Sequence, residues 1–95
     1  MSIRIAGTGS YVPERILSNA DLEKMVETND EWIRTRTGIE ERRIASPEQA
    51  TSDLAYEACL KALDMAGIKG EEVDAIIVGT ITPDYVFPST GCILQ

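Results

Sequence analysis

Apolar and polar residues alternate through Ile3-Arg4-Ile5-Ala6-Gly7, which predicts a first strand. Residues 11–15 read as a loop in which Pro13 pushes Val12 into an extended conformation. Ser18 followed by Asp21 is a capping signal, and it opens a predicted helix over residues 19–27 with Leu22, Met25 and Val26 on one face. A second short helix follows at once: Thr28 with Glu31 forms another capping box, Asp30 and Glu31 sit in the first turn, and Gly38 is the left-handed residue that ends it. Residues 39–45 read as a strand or extended segment, and residues 46–50 as a loop.

The longest predicted helix is capped by Thr51 or Ser52 and ends near Ala66, with Gly67 beyond it. Its stripe runs from Leu54 through Ala58 and Ala62 to Ala66, wide and rich in small residues, as in a helix packed closely on a sheet or another helix. Glu71 and Glu72 open a turn before the run Val73-Asp74-Ala75-Ile76-Ile77-Val78-Gly79-Thr80. A continuous apolar run of that length predicts a strand buried on both faces of a parallel sheet. Residues 80–87 then leave its carboxyl end, where open α/β sheets place their ligands. Pro88 is suited to begin a further helix. That helix has no cap before Gln95, so the expectation is a segment of a longer α/β chain.

On the helix over residues 28–38, Thr28, Trp32 and Arg36 fall four residues apart. Such steps nearly repeat the helical turn, so a hydroxyl, an indole and a guanidinium line one stripe roughly 12 Å long. A flat ring stacks on Trp32 while an anion sits against Arg36, at a separation suited to a nucleotide. The plainer alternative is that Trp32, the one Trp of the chain, is a core residue and Arg36 covers it.

Charge sharpens this picture. The 95 residues carry a net charge of −7, yet residues 34–43 hold four arginines against two glutamates, a net +2 beside −9 elsewhere. One small basic island on an acidic chain fits a compact anionic ligand better than nucleic acid, which rewards a broad basic surface. The alternative is that Glu40 and Glu41 pair with Arg42 and Arg43 along a solvated face. No apolar run approaches the roughly 18 residues of a membrane span, and Met1-Ser2-Ile3-Arg4 leads into a strand pattern without a signal core. Cys59 and Cys92 lie in different predicted elements, which argues against a disulfide scaffold and for a reducing cytoplasm. Gly7-Thr8-Gly9-Ser10 lacks the third glycine of a dinucleotide fingerprint, so these glycines are expected to let backbone pack closely on a neighbouring element.

Taken in order, Ile5-Ala6-Gly7-Thr8-Gly9-Ser10-Tyr11-Val12-Pro13, Asn19-Ala20-Asp21-Leu22-Glu23, Asp30-Glu31-Trp32-Ile33, Arg36-Thr37-Gly38-Ile39 and Phe87-Pro88-Ser89-Thr90 resemble the amino-terminal part of the 3-oxoacyl-[acyl-carrier-protein] synthase III family. The resemblance covers essentially all of residues 1–95. It implies a thiolase-like layered αβαβα fold, of which this chain is the first part of the amino-terminal half, in a cytoplasmic homodimer. It implies condensation of an acyl-CoA primer, commonly acetyl-CoA, with malonyl-acyl carrier protein, releasing CoA and carbon dioxide. No cofactor, metal, nucleic acid or membrane is implied; the CoA thioester is a substrate.

By the same resemblance Trp32 stacks on the adenine of CoA, Thr28 lies beside that base, Arg36 approaches the CoA phosphates and Thr37 lines the same mouth. Phe87 reaches across the dimer to the partner's acyl pocket; alternatively it is a local staple on its own helix. The family's Cys, His and Asn catalytic set is expected outside these residues, since the chain contains no His. Cys92 corresponds to a packing position rather than the nucleophile. The carrier-protein face is expected mainly outside this acidic segment. Two other readings stand beside this one: a related synthase of secondary metabolism, and a non-catalytic small α/β binding domain, which needs a self-contained core.

Overall fold

The hydrogen-bonded ladder does not lie where the alternation of Ile3 and Ile5 predicts it. In this computed structural model, which describes residues 2–95, the sheet among the described residues has two antiparallel strands, β1 (Arg15–Ser18) and β2 (Glu41–Ile44). Met1, the first residue of the stretch read as leading into a strand pattern, lies outside the described residues. Arg15 stands opposite Ile44 and Ser18 opposite Glu41. Four residues with two adjacent apolar side chains, Ile16 and Leu17, show no period, so the sequence marks no strand there: its loop ends at Arg15 and its next signal is the Ser18 cap.

The chain forms two units. In the unit Pro13–Ser46, β1 runs directly into helix α1 (Asn19–Glu23). Ser18 caps α1: its hydroxyl accepts from the Asp21 N–H at 3.1 Å, and the Asp21 carboxylate accepts in return from the Ser18 N–H at 3.0 Å. The cap stands as the sequence predicts, but the helix stops at Glu23 rather than residue 27, and Met25 and Val26 are exposed. A backbone turn, with Met25 N–H on the Leu22 carbonyl, takes over. Helix α2 (Asp30–Thr37) follows and buries Ile33.

The other unit joins residues 2–12 to Pro47–Gln95. Its long helix α3 (Thr51–Ala66) ends on Gly67 at φ 69°, as expected. Its start is corrected: the cap is Ala50, whose N–H donates to the Asp53 carboxylate at 2.8 Å. Ser52 is instead buried, and its N–H donates to Asp84 at 2.8 Å. The expected close packing at Gly7 and Gly9 is present. A Cβ on Gly7 would come within 2.5 Å of the Ala62 carbonyl, and one on Gly9 would overlap the Ala58 carbonyl. Lys61 adds a bond to the Ser10 carbonyl at 3.1 Å. A 3-10 turn, Gly70–Glu72, holds the glutamate pair where a turn is expected. Helix α4 (Thr90–Leu94) is capped by Ser89, so Pro88 precedes the helix instead of opening it.

The predicted strands at residues 3–7 and 73–80 carry no ladder among the described residues, and Ile3, Ile5 and Ile77 are 94%, 84% and 96% exposed. Burial on both faces needs a layer on each side and a paired neighbour in the sheet. No described element supplies these for Ile77. Ile33, 8% exposed, is the one large hydrophobic side chain that is buried among the described residues.

Candidate functional site

Helix α2 carries the candidate site, and its ends are set locally. Asn29 is the cap: its side-chain oxygen accepts from the Trp32 N–H at 2.8 Å. Thr28 therefore lies one residue outside the helix boundary, half-buried, and the expected capping box with Glu31 is not formed. Asn and Thr both make good caps, and the adjacent Asn29 holds the extended backbone, φ −147° and ψ 160°, that the position requires. At the far end Gly38 adopts φ 73°, and its N–H returns to the Arg34 carbonyl at 2.8 Å. Asp30 and Glu31 in the first turn and Arg34 and Arg36 in the last complement the helix dipole.

The structure brings Trp32 and Arg36 together. The guanidinium carbon lies 4.9 Å from the indole centroid, and Trp32 is 53% exposed, so it is not a core residue among the described residues. Arg36 makes no ion pair among the described residues, whereas Arg34 pairs with Asp30 at 3.4 Å. The helix thus presents an accessible aromatic face beside a cation that no carboxylate neutralises. Those are the two groups that a base joined to phosphates engages.

Thr37 is placed at the end of the same helix, but its hydroxyl works locally. It donates to the Ile33 carbonyl at 2.7 Å and accepts from the Ile39 N–H at 3.0 Å. The basic pair also departs from the solvated-face alternative. Arg42 donates to the Leu17 carbonyl at 3.2 Å and to the Asn19 side-chain oxygen at 2.8 Å, and Arg43 donates to the Pro13 carbonyl at 3.0 Å. Two of the four island cations are therefore structural, which leaves the charge at Arg36 for a ligand.

Sequence reasoning missed Asn19. It is 1% exposed, and all its polar side-chain atoms are engaged. A polar residue directly after a cap signal reads as solvent-facing, and only its distant partners mark it out.

In the other unit, Phe87 is 88% exposed ahead of the Ser89 cap, so it does not staple its own helix. Residues 80–86 are tethered to the start of α3. Asp84 accepts from both the N–H and the hydroxyl of Ser52, and the Thr51 hydroxyl donates to the Thr82 carbonyl. Cys59 is half-buried and Cys92 exposed, and both are free thiols. Among the described residues no helix is long and apolar enough to cross a membrane.

No protein-family model matches the chain. Among curated proteins, a beta-ketoacyl-[acyl-carrier-protein] synthase III of Caldanaerobacter subterraneus subsp. tengcongensis is 68% identical over 91 residues, covering 96% of this chain and 28% of that protein. Among solved structures, the 3-oxoacyl-[acyl-carrier-protein] synthase III of Aquifex aeolicus superposes with a TM-score of 0.92 at 50% identity, over 98% of this chain and 30% of that one. The priming beta-ketosynthase of the R1128 polyketide pathway superposes at 0.89 with 36% identity, over 96% of this chain and 27% of that one. The chain spans about 28% of the length of the curated relatives it matches. In sequence and in α/β fold it corresponds to a segment of the thiolase-fold synthases III.

Proposed function

We propose that this chain is the CoA-gripping segment of a beta-ketoacyl-[acyl-carrier-protein] synthase III, which condenses an acyl-CoA primer such as acetyl-CoA with malonyl-acyl carrier protein. The observation that carries the reading is the exposed Trp32–Arg36 pair on α2. Trp32 takes the adenine as a stacking partner and Arg36 takes phosphate charge, with Thr28 and Thr37 flanking the mouth. Because both bound hydrogen-bond roles of the Thr37 hydroxyl are local, that residue shapes the mouth more than it grips the ligand.

The chemistry belongs to residues outside this segment. A Cys thiolate attacks the thioester, keeps the acyl group and releases CoA. Malonyl decarboxylation then releases carbon dioxide and yields the enolate, which attacks the acyl-enzyme carbonyl; the tetrahedral intermediate collapses and expels the thiolate. The grip supplied here acts on the nucleotide end, far from the reacting carbonyl, and so positions the donor. Phe87, exposed between the Asp84 tether and the Ser89 cap, is available to a partner subunit's acyl pocket in a cytoplasmic homodimer. No cofactor is required for this route.

The test is Trp32→Ala in the complete enzyme. A lost stack of about 1–3 kcal/mol raises KM for acetyl-CoA by about tenfold, with little change in KM for the carrier-protein substrate. An unchanged KM for acetyl-CoA overturns the reading. A stand-alone binding domain is disfavoured because the described residues bury almost no apolar core. Similarity to the R1128 priming ketosynthase supports a second reading, a synthase of secondary metabolism. The ratio of kcat/KM between acetyl-CoA and longer acyl-CoA thioesters separates the two.

A further inference from the structure

We infer that Asn19 is the positioning residue for the CoA grip: one buried amide holds both ends of α2 and so sets where Trp32 and Arg36 point. This rests on the reading of α2 as the CoA-binding helix. The side-chain nitrogen of Asn19 donates at 2.8 Å to the carboxylate of Asp30, the first residue of α2, and at 2.8 Å to the carbonyl of Ile39, the residue after the Gly38 cap. Its side-chain oxygen accepts at 2.8 Å from Arg42 on β2, and its backbone N–H donates to the Glu40 carbonyl at 3.0 Å. Glu23 at the end of α1 accepts from the Asp30 N–H at 2.8 Å, adding a second tie to the same helix end.

The requirement is specific to an amide. The site asks for two donors and one acceptor on one short side chain, and Asn supplies all three while 1% exposed. Aspartate keeps the bond from Arg42 but loses both donors, and sets a second carboxylate against Asp30 in a buried place. The eight residues of α2 bury only Ile33, so packing alone holds the helix weakly and the amide decides its register.

The experiment compares Asn19→Asp, Asp30→Ala and Trp32→Ala in the complete enzyme, with acetyl-CoA and malonyl-acyl carrier protein as substrates. Asn19→Asp is expected to raise KM for acetyl-CoA about five- to tenfold, while kcat and KM for the carrier-protein substrate stay within about twofold. Asp30→Ala, which removes the acceptor of the Asn19 amide on a partly exposed residue, is expected to raise the same KM about threefold. Simple removal of a carboxylate near an anion site shifts that KM downward instead, which would overturn the inference. The inference is also overturned if Asn19→Asp leaves KM for acetyl-CoA unchanged, or lowers kcat and raises both KM values alike. A Trp32→Ala effect without an Asn19→Asp effect overturns the positioning role alone; no effect of Trp32→Ala overturns the reading of the site itself.

Discussion

The guanidinium of Arg36 lies over the indole of Trp32, its central carbon 4.9 Å from the ring centroid. At an exposed site such a contact contributes about 0.5–1 kcal/mol, enough to bias two rotamers toward one arrangement. It holds a cation beside an aromatic face on one turn of helix, and neither group is committed to a carboxylate.

Replacing the charge tests the second half of that pair. Arg36→Ala in the complete enzyme is expected to raise KM for acetyl-CoA about tenfold, and to flatten its dependence on salt, since one phosphate-facing cation is gone. Arg36→Lys is expected to recover only part, because a point charge replaces the planar fork and its stacking. A wild-type salt profile in Arg36→Ala would show that the phosphates lie elsewhere.

Gly9→Ala probes the contact between the first segment and α3. The new Cβ would overlap the Ala58 carbonyl and crowd the Ala62 N–H, which are backbone and cannot swing aside. The expected cost is about 1–3 kcal/mol of stability, read as a lower Tm of the complete enzyme. Gly70→Ala, where nothing lies within 4 Å of the added carbon, is the control and is expected to leave Tm nearly unchanged.

Acid sensitivity is expected at the Ser18 cap. The Ser18 N–H and then the Ser18 hydroxyl hydrogen-bond the Asp21 carboxylate and hold it below its ordinary value of 3.8. A depressed folded value means the stabilisation is complete above the unfolded value and is lost as pH falls through the folded one. The Tm difference between wild type and Asp21→Asn should therefore be full at about pH 6 and shrink once pH falls below about 4. A difference that stays constant with pH would remove the carboxylate from the cap's account.

What the residues alone determined are features closed within one helical turn. The Ser18–Asp21 cap, the left-handed glycines 38 and 67 and the shared side of Trp32 and Arg36 all follow from spacings of three or four. The close approach allowed by Gly7 and Gly9 was legible too, because absent side chains are visible in a sequence. Tertiary structure decided the rest. Thr28 and Asn29 are both good caps, and the path by which the chain enters α2 selected Asn29. Asn19 meets Ile39 and Arg42, and Ser52 meets Asp84, across separations of 20, 23 and 32 residues. Partners that far apart meet only after loops close and elements pack, and no local pattern records which donor finds which acceptor.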